Sequence, residues 1–532
     1  MESSGENTGF AKEDLMKQDI SPFPDRPGNA LGKERNIMPV LLGIDIGTSS
    51  ARALLLDAEG QVLSICQEEY AFDIPELGWA EQDPEVWWRA VCLIVRRALC
   101  ESGLSGEDVH ALSFSGQMHG LIPLDREGRV LRKGIIWCDQ RSSAQVRALR
   151  EKISASELGA MTGNTVNTGS LLASLLWMRE FEPELFPQID RVLLPKDYIR
   201  FKMTGLASTE LTDAAGTLAF DVKNGCWSHR LLDRLGLDLR IFPKVFLPSD
   251  VAGALRPEAA EQLGLSPGCL VIHGAADQVM QALGNGMLEP GTASVTIGTG
   301  GQVLTLLSAP QYDPGLSAHT FNYLTRDLWY FLGATLSAGL SLRWLRGQLF
   351  GSLSYKELDA LAHAVPPGSE GLIFLPYLLG ERTPHMDPEA KGLYFGLSMK
   401  HGRGHLIRST MEGVAYSLKE SFVLLDSLGI PVMEVIASGG GARSPLWLQI
   451  QADILNHELR LSTASEQASL GAAINASVGA GLFKSYREAC SQLVSISPTR
   501  YHPIPDQVAR YEEGFETYKA LYARNKDLMR SR

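Results

Sequence analysis

An acidic residue interrupts an apolar, strand-like run near the start of the patterned part of the chain. Asp45 lies in GIDIGTSS (residues 43–50) and is followed by the small residues Gly47, Thr48 and Ser49. An unpaired carboxylate is costly to bury, so this acid needs a partner or a ligand. The turn offers backbone N–H groups and hydroxyls that suit phosphate oxygens. The acid and the turn together predict a phosphate site, although an ordinary hairpin turn would also use the glycine.

The same pattern occurs a second time, close to half the chain length away. SVTIGTGGQVLTLLS (294–308) repeats the order of GIDIGTSSARALLLD (43–57): an apolar strand, Ile-Gly-Thr, two small residues and a second apolar strand. The spacing between the copies is constant, which favours a duplicated domain with both hairpin ends facing a shared cleft. GNGMLEPGTA (284–293) is the predicted crossover between the halves. The sequence contains no GxxxxGK[ST] motif, which excludes a P-loop protein.

A third glycine cluster follows another apolar strand. In VIASGGGARSPLWLQIQADILN (435–456), three glycines precede a helix that is predicted to begin near Ser444. Glycines at such a junction permit the close approach of a flat ligand, and a helix N-terminus favours a negative group. Tight packing would explain the glycines equally well. The cluster therefore gains weight only in combination with the two hairpin turns.

Polar residues also follow strands elsewhere in the chain. Asp277 in HGAADQVMQALGNG precedes a helical run, where N-capping is the commonest role and a general base is the alternative. LSFSGQMHG ends a predicted strand with Gln117, Met118 and His119, at the strand end where α/β proteins bind ligands. WCDQR (137–141) and GERTPH (380–385) add charged groups, which an ionic network would explain as readily.

The elements that position these residues alternate between strand and helix. Three strands are predicted as a meander, at residues 40–46, 51–56 and 61–65. Residues 85–101 place their apolar side chains largely on one helical face. This alternation predicts an α/β architecture with a partly parallel sheet. A length of 532 residues exceeds what one hydrophobic core usually serves, so we expect at least two domains.

Composition indicates which classes of binding partner are unfavourable and which cellular compartment the cysteines suit. The net charge of −12 argues against nucleic acid or an anionic membrane as the main partner. The 7 cysteines are scattered without CxxC spacing, which is typical of a reducing cytoplasm. No apolar run approaches the roughly 20 residues of a membrane helix. Residues 1–37 lack the apolar stretch of a signal peptide, and we predict a disordered extension there.

Taken together, these motifs resemble the FGGY family of carbohydrate kinases from about Leu41 to about Gly481. The motifs that carry the likeness stand in family order: GIDIGTSSARALLLD, GWAEQDPEVWW, SGQMHG, WCDQRS, LLPKDYIRFKMTG, TDAAGT, FLPYLLGERTPHMDP and GGGARSPLWLQIQAD. SGQMHG (115–120) is the most specific of them and is similar to the motif in members that act on D-xylulose. The resemblance implies the ATP-dependent phosphorylation of D-xylulose to D-xylulose 5-phosphate, with Mg²⁺ and ATP as cofactors.

The resemblance also implies a fold and a set of site residues. The fold is α/β, with two duplicated ribonuclease-H-like domains of the actin, sugar-kinase and Hsp70 ATPase type around a central cleft. The implied domains are 38–286 on the sugar and phosphate side and 287–500 on the nucleotide side, followed by a helical tail at 501–532. Asp277 matches the catalytic base, and Asp45 matches the acid that positions Mg–ATP and holds the metal through water. The implied acceptor-binding residues are Gln117, Met118, His119, Asp277 and Gln278. The implied nucleotide-binding residues are Gly47, Thr48, Ser49, Gly298, Thr299, Gly300, Gly440, Gly441 and Ser444.

Two other readings stay open from the sequence. One is a family kinase for another ketose or polyol, such as ribulose, glycerol or an erythritol-like compound, which would differ mainly around SGQMHG and Gln278. The other is a nucleotide-binding scaffold on the actin-like fold without kinase activity. The expected partners are a small sugar and ATP, with no nucleic acid and no membrane, and a homodimer is left open.

Overall fold

The first half of the chain builds a mixed sheet with helices on both faces. The computed structural model describes residues 39–351 and 353–530, so the expected disordered extension at 1–37 lies outside the described residues. The strands of this half are β1 Val40–Ile46, β2 Ser50–Asp57, β3 Val62–Glu69, β4 Glu81–Gln82, β5 Val109–Gly116, β6 Ile122–Leu124, β7 Gly134–Ile135, β8 Arg191–Leu193, β9 Ser208–Glu210, β10 Phe220–Asp221, β11 Cys226–Trp227, β12 Lys244–Phe246, β13 Val251–Ala254, β14 Leu270–Ile272 and β15 Ala275–Ala276. The helices are α1 Pro84–Ser102, α2 Ser143–Lys152, α3 Ala155–Thr162, α4 Leu171–Phe181, α5 Pro195–Thr204, α6 Leu211–Gly216, α7 His229–Leu235, α8 Pro257–Leu263 and α9 Asp277–Gly284.

The second half of the chain repeats this architecture. Its strands are β16 Thr292–Ile297, β17 Gly301–Leu307, β18 His319–Asn322, β19 Trp329–Thr335, β20 Ile373–Leu375, β21 Leu393–Phe395, β22 Glu434–Gly439, β23 Leu459–Ser462 and β24 Ile496–Tyr501. Its helices are α10 Gly339–Leu345, α11 Tyr355–His363, α12 Arg403–Ser427, α13 Pro445–Leu455, α14 Gln467–Gly479, α15 Tyr486–Leu493 and α16 Pro505–Arg530.

The two main sheets share one topology. The first runs β13-β14-β5-β1-β2-β3, with β15 also paired to β5, and the second runs β18-β19-β17-β16-β22-β23-β24. In both sheets an antiparallel hairpin (β1–β2 or β16–β17) lies next to a parallel partner (β5 or β22). Strand β1 is buried along its whole length, as expected for a strand covered on both faces. The duplicated α/β fold predicted from the paired hairpins is therefore confirmed.

The two hairpin turns differ in length, contrary to the constant spacing expected from the sequence. Ile46 pairs with Ala51 across the first turn, whereas Ile297 pairs with Gly301 across the second. The second turn is thus one residue shorter. Its glycine-rich sequence accommodates the tighter bend, and a Cβ at Gly300 would approach the Thr335 carbonyl oxygen to 2.6 Å.

Helix ends follow the local signals of the sequence. The predicted helix over 85–101 is α1, which begins with Pro84 and ends before Gly103. The Asp83 side chain accepts a hydrogen bond from the Glu85 amide, and Gly103 adopts the left-handed conformation of a C-cap (φ 68°). The segment expected as a helical tail contains α16, whose aromatic side chains Tyr511, Phe515 and Tyr518 are buried.

Helix α14 joins the two halves. It belongs by sequence to the second half, yet it packs against α9 and against β1 and β5 of the first sheet. Glycines allow the contact, because a Cβ on Gly471 would lie 1.9 Å from the Met280 carbonyl oxygen and a Cβ on Gly284 would lie 2.0 Å from that of Gln467. This crossing fixes the position of α9, which begins with Asp277.

Within the described residues, no helix is long and apolar enough to cross a bilayer. The cytoplasmic location stays a prediction.

The glycine crossing generates a stability prediction. Gly471→Ala should lower the free energy of unfolding by about 1–3 kcal/mol, because the new methyl group would overlap a backbone carbonyl that cannot rotate away. Gly347→Ala is the matched control, since its Cβ would meet nothing within 4 Å. Urea unfolding of both variants measures the difference. Equal stability of the two variants would contradict a tight α9–α14 crossing.

Candidate active site

The two Gly-Thr turns lie at equivalent ends of the two sheets. The first amide of each turn closes the turn itself: Gly47 N donates to Ser50 O (3.0 Å), and Gly298 N donates to Gly300 O (2.9 Å). Among the described residues, the following amides, those of Thr48 and Thr299, have no protein acceptor. These amides, rather than those of the glycines, are available to phosphate oxygens.

Partly and fully buried side chains hold the first turn. Tyr70 donates its hydroxyl to Gly47 O (2.7 Å), and Trp137 donates Nε1–H to Thr48 Oγ1 (2.8 Å). Thr48 Oγ1 in turn donates to Gln117 Oε1 (3.1 Å). Gln117 also donates to Gln82 Oε1 (3.0 Å). Gln117, which was expected to bind the acceptor, therefore supports the turn instead.

Asp45 is buried but not isolated. Ser115 donates its hydroxyl to Asp45 Oδ1 (2.7 Å), and an Arg52 guanidinium nitrogen lies 3.4 Å from Oδ2. The second sheet has a matching pair without an acid, Thr296 and Ser438, whose hydroxyls are 2.7 Å apart. The duplicated fold thus needs a hydrogen bond at this register, and the carboxylate exists in one copy only.

Asp277 is the first residue of α9, not its N-cap. The N-cap position belongs to Ala276, which has no capping side chain, and the locally favoured capping interpretation is therefore wrong. Asp277 Oδ1 accepts a hydrogen bond from the Gln278 amide (2.7 Å). The rest of the carboxylate faces a cavity, where it has no cationic partner among the described residues.

A small polar cavity of about 170 Å³ brings most of the expected acceptor-site residues together. The predicted residues in its wall are Thr48, Met118, His119, Asp277 and Gln278. The other lining residues are Trp137, Asn167, Thr168, Ser170, Leu218, Gln302, His319, Leu332, Ala334 and Arg382. Because Thr48 belongs both to this cavity and to the first turn, the acceptor and phosphate sites are contiguous.

His119 presents one ring nitrogen to the cavity side of the loop. Its Nδ1 contacts Gly216 O at 2.5 Å, and since a carbonyl oxygen only accepts, Nδ1 carries the proton. Burial lowers the pKa of His119 to about 4, so the ring is neutral near pH 7 and Nε2 is an acceptor. The backbone at His119 is left-handed (φ 74°), which turns the side chain out of the strand direction.

A larger cavity of about 570 Å³ contains five of the predicted nucleotide-binding residues. Gly298, Thr299, Gly440, Gly441 and Ser444 line it, together with Ile297, Gly339, Leu340, Leu342, Arg343, Tyr355, Lys356, Asp359, Arg443, Pro445 and Trp447. Ser444 caps α13 by accepting from the Trp447 amide (3.0 Å).

Not every predicted nucleotide residue has a simple placement. A Cβ on Gly441 would lie 2.6 Å from Ile297 Cβ, so packing explains this glycine independently of a ligand. A Cβ on Gly440 would make only an ordinary contact with the Ile297 carbonyl oxygen (3.7 Å), so packing does not require this glycine and it remains a candidate for ligand contact. Gly47, Ser49 and Gly300 lie in the turns but line neither of these two cavities.

The sequence reasoning did not assign Arg52, which contacts Asp45, nor His319 and Arg382, which line the acceptor cavity. Arg52 is recognisable in retrospect, because it stands directly opposite Asp45 in the hairpin register. His319 has no local signal, since its partners Asn164 and Asn167 lie 155 and 152 residues earlier in the chain. Arg382 lay in the noted GERTPH segment, but nothing in the segment indicated that it reaches the acceptor cavity.

Withdrawal from water dominates the electrostatics of the two acids. Burial, and then the charge of Asp45, raises the pKa of Asp277 to about 7. Burial also raises the pKa of Asp45, which the Ser115 hydrogen bond and Arg52 oppose. Asp277 therefore changes its charge near neutral pH, as a proton acceptor should.

The carboxylate chemistry is compatible with Mg²⁺ only together with phosphate. In the described part of the chain, no group of three or more His, Cys, Asp or Glu side chains could hold a metal ion by itself. Mg²⁺ is commonly bound by one or two carboxylates, water and substrate phosphates. Asp45, beside the first turn, supplies one such carboxylate.

The raised pKa of Asp277 generates a stability prediction with a definite sign. In the unfolded chain this acid ionises near 3.8, so its contribution to stability is present below that pH and is lost as the pH rises through about 7. Asp277→Asn should therefore raise the free energy of unfolding at pH 8, by up to about 4 kcal/mol. The gain should shrink as the pH is lowered to 5. Thermal unfolding across this range measures it, and a pH-independent difference would contradict the burial of a charged Asp277.

Comparison with known proteins agrees with this geometry. Residues 40–284 match the N-terminal domain, and residues 293–480 the C-terminal domain, of the FGGY family of carbohydrate kinases. The chain is 36% identical over 491 residues to a xylulose kinase of Bacillus subtilis (strain 168), covering 92% of this chain and 98% of that protein. It is 31% identical over 483 residues to a gluconokinase of the same organism, covering 88% and 93%.

A solved structure gives the same result in three dimensions. The ligand-bound xylulose kinase from Lactobacillus acidophilus superposes with a TM-score of 0.88 at 27% identity, covering 92% of this chain and 99% of that one. The chain belongs to the FGGY family of carbohydrate kinases and is itself a carbohydrate kinase.

Proposed function

We propose that this kinase transfers the γ-phosphoryl group of Mg–ATP to the terminal hydroxyl of D-xylulose, giving D-xylulose 5-phosphate. The observation that carries the proposal is the contiguity of the two sites. Asp277 faces a small polar cavity with Met118 and His119, and Thr48 of the first phosphate turn forms part of the same wall. The group that accepts the proton, the pocket for the sugar and the first phosphate turn therefore all border one cavity.

The proton acceptor in this reaction is Asp277. A sugar hydroxyl is too weak an acid to ionise at neutral pH, so the carboxylate accepts its proton as the new P–O bond forms. A pKa of about 7 keeps a substantial fraction of Asp277 ionised and yet basic enough to take the proton. The Gln278 amide, which donates to Oδ1, orients the carboxylate.

The neutral side chains of the cavity bind and orient the acceptor. His119 Nε2 accepts a hydrogen bond from a sugar hydroxyl, because Nδ1 is committed to Gly216 O. Met118 and Trp137 supply apolar surface beside it. Such positioning supplies much of the acceleration of phosphoryl transfer, in which little covalent chemistry falls to the protein.

The phosphate side depends on backbone amides and one acid. The amides of Thr48 and Thr299 are free to donate to phosphate oxygens, and Asp45 is the residue that would hold Mg²⁺ through water. When bound, Mg²⁺ neutralises charge on the transferred group and on the departing diphosphate.

D-xylulose is favoured over other acceptors by the SGQMHG motif and by the 36% identity to a named xylulose kinase. The 31% identity to a gluconokinase leaves sugar acids as a second candidate class. Ribulose and polyols remain alternative acceptors, and the SGQMHG motif is the feature that argues against them.

The central test is a coupled ADP-release assay of the full chain with Mg–ATP and D-xylulose, D-ribulose, glycerol and erythritol. We expect the highest kcat/KM for D-xylulose. Asp277→Asn should reduce kcat by at least about 10³-fold while the fold and nucleotide binding are retained, since the amide cannot accept the proton.

Asp506→Asn, at an exposed position in the first turn of α16, is the matched acid-to-amide control and should leave kcat unchanged. Preference for another acceptor would move the assignment to that sugar. Near-normal turnover by Asp277→Asn would remove this residue from the reaction.

A further inference from the structure

We propose that Arg382 binds the end of the acceptor opposite to the phosphorylated hydroxyl, and that its guanidinium lets the same cavity accept sugar acids, which carry a carboxylate at that end. The inference rests on the proposed function, because it takes Asp277 as the place where the terminal hydroxyl reacts. It adds a residue and a second substrate class to that site.

The first step of the argument is that Arg382 is a cation without a carboxylate partner. The buried arginines Arg141, Arg200 and Arg408 each lie within 2.9 Å of an acidic oxygen. No ion pair or side-chain hydrogen bond holds the Arg382 guanidinium among the described residues. Because an uncompensated cation in a partly dry pocket is unfavourable, this arrangement indicates a ligand acceptor.

The nearest acid does not supply that acceptor. Glu381 directs one oxygen to the backbone amides of Leu336 (3.0 Å) and Arg382 (2.7 Å), and the other accepts from the Ser417 hydroxyl (3.2 Å). Burial raises the pKa of Glu381 to about 8, so this group is largely uncharged at pH 7. The charge of Arg382 is thus left for the cavity.

The second step is that the backbone of Arg382 is fixed while its guanidinium is free. Glu381 accepts from the Arg382 amide, and on the other side Thr383 is clamped to β19: its amide donates to Ala334 O (3.0 Å) and its hydroxyl accepts from the Ala334 amide (3.1 Å). Rigid attachment with unused donors is the arrangement expected of a ligand-binding side chain.

The third step is that Arg382 shares the cavity with Asp277 and lies on the side of the two histidines, His119 and His319. The guanidinium lies over the Trp137 ring, 5.8 Å from its centroid. Its charge contributes to the lowered pKa values of His119 and His319, whereas the charge acting on Asp277 is that of Asp45. Because Asp277 and Arg382 line the same cavity, we infer that an acceptor with its hydroxyl at Asp277 has its other end at Arg382.

The chemistry of that end follows from the guanidinium. Its fork of N–H donors matches a carboxylate in two parallel hydrogen bonds and also serves a carbonyl oxygen, though more weakly. An aldonate such as D-gluconate has a carboxylate at C1 and a primary hydroxyl at the other end. The transfer is the same as for a ketose: the new O–P bond forms, the β–γ bridging P–O bond breaks, ADP leaves with that electron pair, and the hydroxyl proton passes to Asp277.

The test uses the full chain with Mg–ATP and three acceptors: D-xylulose, D-gluconate and xylitol, which has neither a carbonyl nor a carboxylate group. We expect the wild-type protein to produce phosphogluconate, detected by mass spectrometry together with ADP release. Arg382→Gln should lower kcat/KM for D-gluconate about 10²-fold, mainly through KM, and for D-xylulose by about 10-fold. In the same variant, kcat/KM for xylitol should change less than about 3-fold.

Arg126→Gln, at an exposed turn, is the matched control and should change none of these values. Arg382→Lys, which keeps the charge but not the fork, should recover part of the gluconate activity. Thermal unfolding and Mg–ADP binding check that each variant is folded.

Three results would overturn the inference. One is normal D-xylulose turnover without any phosphogluconate. Another is an equal loss of kcat for all three acceptors in Arg382→Gln, which would place the guanidinium at the transferred phosphoryl group. The third is a folded Arg382→Gln that binds Mg–ADP but has unchanged kinetics. Failure of the proposed function is distinguishable, because it appears in the wild-type protein as turnover of D-gluconate without D-xylulose.

Discussion

The arrangement depends on keeping two carboxylates, Asp45 and Asp277, in one poorly hydrated cleft. Like charges in such a place oppose each other, and the charge of Asp45 adds to the effect of burial in raising the pKa of Asp277. Asp45 is partly compensated by Ser115 and Arg52, whereas Asp277 accepts hydrogen bonds from Gln278 but has no cationic partner among the described residues. The difference gives the two acids different properties: Ser115 and Arg52 oppose the rise in the pKa of Asp45, whereas the pKa of Asp277 is raised to about 7.

A fully buried ionic cluster supports this cleft from beneath. Lys196 lies within 3.1 Å of Asp197, Glu210 and Asp213, and Arg200 also pairs with Asp197. Glu210 caps α6, the helix whose last residue offers the carbonyl that orients His119. Burial raises the pKa of Asp213, which disfavours a third negative charge in the cluster. Removing one member of such a cluster costs more than the pair contributes, which makes it a rigid base for the acceptor loop.

The sequence predicts the fold well because its strongest signals are local. The Ile-Gly-Thr hairpins, the amphipathic run of α1 and the glycine-to-helix junction at α13 each depend on neighbouring residues. The sequence does not predict contacts between segments that are far apart along the chain. The α9–α14 crossing needs Gly284 and Gly471 to meet across almost the whole second half of the chain. For the same reason the sequence does not predict that Arg382 and His319 line the acceptor cavity. It also predicts acceptor contact for Gln117, whose side chain instead accepts a hydrogen bond from Thr48 in the first turn.

One measurement tests most directly whether Asp277 is the proton acceptor, with a pKa raised by burial and by the charge of Asp45. It is the pH dependence of kcat/KM for D-xylulose with both substrates below their KM values, which reports ionisations of the free enzyme. The predicted profile falls on the acidic side with an apparent pKa near 7, because protonated Asp277 cannot take the hydroxyl proton. A rate that stays constant down to pH 5 would contradict it.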